Sequence, residues 1–130
     1  MILQGELNKI DSRTRKMYHT DVYFPAWLKL QAENARDYIC SDDLHLTRHA
    51  RERIKEKGLD IPTRYNVCKG KIIEIEVDDN NRVIKLLFRV EKENYDLCFT
   101  ILCNRTITTV YGRDKNDNNS TLEKNRYISR

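Results

Sequence analysis

At Pro62 the period of the apolar residues changes, and this change constrains the fold more than any other feature of the chain. Before it, Leu28, Ala32, Ala35 and Ile39 recur at helical spacing, with Trp27 and Tyr38 beside them. After it, Ile73, Ile75 and Val77 alternate with Glu74 and Glu76, the two-residue repeat of a half-buried strand. Ile84, Leu86, Phe88 and Val90 share one face of a second strand, while Val83 and Leu87 partly populate the other. Tyr95, Leu97, Phe99, Ile101 and Cys103 alternate on a third, and the run from Thr106 to Tyr111 is a β-branched fourth. Asp78-Asp79-Asn80-Asn81, Glu91-Lys92-Glu93-Asn94 and Asn104-Arg105 supply the turns. Connections this short favour an antiparallel meander. Its apolar face needs a cover, which the preceding helices can provide. The expected fold class is α+β, with N-terminal helices packed on a four-stranded antiparallel sheet and a polar C-terminal tail.

The helix limits follow from local chemistry. Pro25 suits the first turn of an amphipathic helix over 25–39, which Ser41-Asp42-Asp43 breaks. A second helix runs from Thr47 to about Lys57. Thr47 is a credible N-cap, and Gly58 can take the left-handed conformation that ends a helix. Residues 1–24 are ambiguous: Leu7, Ile10 and Met17 could line a short helix, whereas Tyr18, Val22, Tyr23 and Phe24 read as extended. A length of 130 residues favours one domain. Within it, the reading separates an N-terminal extension (1–43), an α+β core (44–112) and a polar tail (113–130) expected to be flexible, or to fold only against a partner.

Charge is unevenly distributed. The net charge is +4, and residues 45–71 hold 8 positive and 3 negative side chains, so the basic excess sits on the second helix and the loop after it. Such a patch concentrates polyanions, nucleic acid above all. No apolar run is long enough to cross a membrane and the N-terminus lacks a signal-peptide stretch, so the expected compartment is the cytoplasm, with no membrane partner. Cys40, Cys68, Cys98 and Cys103 show no CxxC spacing and read as reduced, mostly buried small hydrophobes.

His49, Arg53 and Lys57 fall at i, i+4 and i+8 on one face of the second helix, with Ala50 and Ile54 on the adjacent, core-facing side. An internal RNA 2′-hydroxyl can attack its own phosphodiester when one group removes its proton and another protonates the leaving oxygen. Histidine suits either role, and a guanidinium stabilises the charge growing on the phosphate. Tyr111, at the end of the fourth strand, could add a polar group or stack a base. Arg51, Arg64, Arg89 and Arg113 are further phosphate-binding candidates. His45 and His49 have metal-ligand spacing, but Thr47 as N-cap leaves His45 outside the helix and no third ligand is evident. No phosphate loop or nucleophile elbow is present, and neither metal nor cofactor is expected.

The run from Leu44 to Arg53, followed by Lys57-Gly58-Leu59, resembles the "HAxxR…RG" helix of the DUF4258 group of small bacterial and phage proteins. Ile107-Thr108-Thr109-Val110-Tyr111 is similar to the final-strand "TVY" of that pattern. The group looks related to the barnase, EndoU, colicin and RelE ribonucleases. Lys57 stands where the pattern usually has arginine. The resemblance implies a metal-independent endoribonuclease or a toxin-like RNA-directed protein. His49 and Arg53 would act from the helix, with Tyr111 or Thr109 acting from the strand. RNA or another nucleic acid is the expected partner, and a host protein or cognate antitoxin is a second class. Two other readings stand beside it. One is a non-catalytic protein that docks on nucleic acid, or blocks a host protein, through the basic helix or through Trp27 and Tyr23. The other is a structural module that assembles through its helices or an open sheet edge.

Overall fold

In the computed structural model, which describes residues 16–19 and 24–117, six strands form one sheet. They are β1 (Lys16–His19), β2 (His45–Leu46), β3 (Lys71–Val77), β4 (Val83–Glu91), β5 (Asp96–Leu102) and β6 (Thr106–Arg113), in the spatial order β1-β3-β4-β5-β6-β2. Among the described residues, three helices, α1 (Ala26–Ile39), α2 (Arg48–Lys57) and α3 (Arg64–Lys69), complete the α+β architecture. The four-stranded meander is present as β3 to β6, all antiparallel. The sheet is nevertheless larger than the sequence suggests, and mixed. β1 adds an antiparallel edge beside β3, and β2 pairs in parallel with β6. Both additions are short, and both partners come from distant sequence, so no local pattern announces them.

All three helices bury residues in one core against the same sheet face. Leu28, Ala32 and Ile39 of α1, Ala50 of α2 and Val67 of α3 join Ile75, Val77, Leu86, Phe88, Leu97, Phe99, Ile101, Ile107 and Val110. Helix α1, assigned above to an extension, thus belongs to the same core as the strands. Phe88 and Phe99 stack at its centre with rings 5.4 Å apart. Of the ambiguous N-terminal residues, Met17 and Tyr18 lie in a strand, and Tyr18 packs edge-on to Trp27. Leu7, Ile10, Val22 and Tyr23 lie outside the described residues.

Local signals set the helix ends. Pro25 is the N-cap of α1 rather than its first residue. The Thr47 hydroxyl accepts from the Ala50 amide at 3.1 Å, and Gly58 closes α2 at φ 63°. The sequence reading missed α3. Its start carries a capping box, however: Thr63 Oγ1 accepts from the Asn66 amide while Asn66 Oδ1 accepts from the Thr63 amide. Gly70 follows it at a close approach, since a Cβ there would lie 2.5 Å from the Asn66 carbonyl oxygen.

The β3–β4 register breaks twice. The break between Glu76 and Val77 pairs Val83 with Val77 and sets Val83 against the helix-side core rather than on the opposite face with Leu87. The other break lies nearer the start of β3, between Ile72 and Glu74, so that Ile72 pairs with Phe88 and Glu74 with Leu87. Ile73 is the extra residue and joins Leu87 and Cys98 on the face away from the helices, apart from Ile75 and Val77. The polar tail also starts later than expected in structural terms. β6 extends to Arg113, and Asp114–Asp117 make a turn in which the Asp117 amide donates to the Asp114 carbonyl at 3.0 Å. Residues 118–130 lie outside the described part. Among the described residues, no helix is long and apolar enough to cross a membrane.

Candidate functional site

Helix α2 packs along β6 and turns almost all of its charge outward. Ala50 is fully buried and Ile54 partly so, while Arg48, His49, Arg51, Lys55 and Lys57 are exposed. Arg48 pairs with Glu52 at 3.0 Å and Arg53, half-buried, reaches Glu56 at 3.9 Å. Arg51, Lys55 and Lys57 have no ion-pair partner among the described residues. Arg48, Arg51 and Lys55 recur at i, i+3 and i+7, so a second basic stripe lies beside the His49-Arg53-Lys57 one. The sequence reading passed over Arg48 and Lys55, although the same helical spacing would have revealed them.

The strand residue of the expected trio is elsewhere. Tyr111 follows Val110, which faces the helices, and its own side chain packs with Ile73, Leu87 and Cys98 on the opposite face. The fold therefore shares His49 and Arg53 on α2 but does not bring Tyr111 to them. Burial pushes the Tyr111 phenol above its ordinary value, and its oxygen accepts from Arg113 Nη2 at 3.3 Å. Arg113 is itself buried and bonded to Asp117 at 3.1 Å, which removes it from the exposed phosphate-binding set. Arg64 is exposed at the start of α3, with Nε donating to the Cys40 carbonyl at 3.0 Å.

Among the described residues, two clefts flank α3. The larger, about 800 Å³, opens between α3 and the ends of the central strands and is lined by Tyr65, Lys69, Lys71, Arg89, Asp96 and Lys115 among others. Asp96 is clamped there by Arg89 at 2.7 Å and Lys115 at 3.3 Å, and Arg89 also donates to the Asp114 carbonyl. Lys69 and Lys71 have no ion-pair partner among the described residues, and Tyr65 stands 69% exposed at the rim. Lysine ammoniums lining a cleft that has an open aromatic ring at its rim suit a phosphate and a flat base. The smaller cleft, about 460 Å³, is lined by Asp43, Leu44, His45, Pro62, Thr63 and Arg64. His49, Arg53 and Tyr111 line neither of these clefts. No group of three His, Cys, Asp or Glu among the described residues could hold a metal ion.

Comparison with protein-family models, with curated proteins and with solved structures finds no match to this chain.

Proposed function

We propose that this protein binds nucleic acid by laying helix α2 against the phosphate backbone, and that it acts by docking rather than by cutting the strand. One observation carries the reading. The helix buries little more than Ala50 and part of Ile54, so its cations form a solvent-facing ridge in which Arg51, Lys55 and Lys57 remain unpaired among the described residues. Cations the fold does not use are available to displace the counterions of a polyanion, which is the main source of non-specific affinity for nucleic acid. Docking is favoured over catalysis because Tyr111 lies across the sheet from His49 and Arg53. Metal-independent cleavage of RNA, the activity that the DUF4258-like pattern implies, is the alternative the same experiment separates.

The test is fluorescence anisotropy with labelled RNA and labelled duplex DNA across a salt series, in EDTA. Three duplex phosphate contacts correspond to a slope of about −2.7 in log affinity against log salt. The combined Arg51→Ala, Lys55→Ala and Lys57→Ala variant should lose most of that slope. Unchanged affinity in this variant removes α2 as the contact. Strand cleavage that disappears in His49→Ala replaces docking with the ribonuclease reading.

A further inference from the structure

Cys40 ends α1 and Cys68 lies in α3, 28 residues further on, yet their sulfur atoms are 3.0 Å apart. Two reciprocal clamps hold them together. Arg36 of α1 donates from Nη1 to the Cys68 carbonyl at 3.1 Å, and Arg64 of α3 donates from Nε to the Cys40 carbonyl at 3.0 Å. Each helix thus grips the backbone of the other's cysteine. Arg36 also donates to the Gly70 carbonyl at 3.0 Å and rests over the Phe88 ring, which ties the clamp to the core. The other two thiols are placed differently: Cys98 is fully buried on the far sheet face, and Cys103 donates to the Val83 carbonyl.

We propose that Cys40 and Cys68 are a redox-responsive pair that closes to an intramolecular disulfide on exposure to a small-molecule disulfide such as oxidised glutathione. Cys68 is exposed and Cys40 half-buried, so Cys68 meets the oxidant. Its thiolate attacks one sulfur of the small disulfide, forming a mixed disulfide and releasing one thiolate. The Cys40 thiolate then attacks the Cys68 sulfur, forms the protein S–S bond and expels the second thiolate. The two protons lost by the cysteines end on the two released thiols, so the protein is oxidised by two electrons and the small disulfide is reduced by two. Bond formation requires the sulfurs to close by roughly 1 Å, within reach of side-chain rotation. Burial pushes the Cys40 thiol up, in keeping with its role as the second, internal attacker.

The consequence reaches the functional surfaces. The cross-link would close the segment from 40 to 68, which carries the whole of α2. It would also pin α3, whose Tyr65 and Lys69 line the larger cleft and whose Arg64 lines the smaller one.

The test uses the full chain, reduced and then equilibrated with oxidised glutathione. Expected are the loss of two of four titratable thiols, a mass about 2 Da lower, and a non-reducing peptide map joining Cys40 to Cys68. Melting temperature should rise by about 5 °C or more and fall back on reduction. The Cys40→Ser variant should stop at the mixed disulfide on Cys68. The Cys98→Ser, Cys103→Ser double variant should close as the native chain does, which keeps the test decisive if Cys40→Ser fails to fold. Four free thiols persisting in the native protein, a link to Cys98 or Cys103, or a link between two molecules would each overturn the proposal.

Discussion

Helices α1 and α2 cover the same sheet face but use their cations in opposite ways. α1 turns Arg36 inward, onto the Phe88 ring and two carbonyls of the α3 region. Its C-terminal end is held by Arg105, whose guanidinium donates to the Ile39 carbonyl at 3.2 Å, the Tyr38 carbonyl at 2.8 Å and Ser41 Oγ at 3.0 Å. That cation satisfies carbonyls a helix end leaves without partners and complements the negative end of its dipole. Among the described residues, α2 does none of this with Arg51, Lys55 or Lys57. An arginine can therefore be part of the fold's framework or part of its outward face, and composition does not distinguish the two.

The comparison can be broken at its centre first. Phe88 lies under Arg36 and against Phe99, fully buried, so Phe88→Ala should cost about 3–5 kcal/mol, read as a lower denaturant midpoint. A loss below about 1 kcal/mol would mean that the α1 side of the core is not the main support of the sheet.

A sharper contrast is Arg36→Met against Lys55→Met. The first leaves the Cys68 and Gly70 carbonyls without their donor and should cost about 1–3 kcal/mol. The second should stay within about 0.5 kcal/mol, measured by the same denaturation. Equal costs would erase the distinction between the inward and outward cations.

The smallest effect is a titration at the β3–β4 turn. Amide donors from Arg82 and Asn80 hold the Asp78 carboxyl below its ordinary 3.8. A carboxyl lowered on folding binds its proton less readily in the native chain than in the unfolded one. It therefore contributes stability above about pH 4, and that contribution is lost as pH falls through the lowered native value. The stability difference between the native chain and Asp78→Asn should be present at pH 6 and shrink toward pH 3. A difference that stays constant over that range would show that the turn does not depend on the charge.

Much of the architecture could be read before any coordinates. Thr47 and Gly58 bound α2 through interactions that span at most a few residues, and the Asp78–Asn81 turn and the alternation of Leu97, Phe99 and Ile101 are equally local. The candidate site was legible in part: the spacing of His49, Arg53 and Lys57 placed them on one helix, but the same rule applied to Arg48, Arg51 and Lys55 went unused. Tyr111 could not be assigned from motif likeness, because the face it occupies depends on strand parity relative to Val110 and on which face the helices cover.

The sequence by itself determined the elements whose hydrogen bonds and caps close within a turn or a hairpin: α1, α2, and the strands β3 to β6. Tertiary structure alone decided the β1 and β2 edges, the displacement of Ile73 to the far face, the grip of Arg105 on α1 from 67 residues away and the meeting of Cys40 with Cys68. The division has a physical cause. Local bonds form between groups the chain already holds close, whereas each of the others exists only after distant segments are brought together by burial of the shared apolar core.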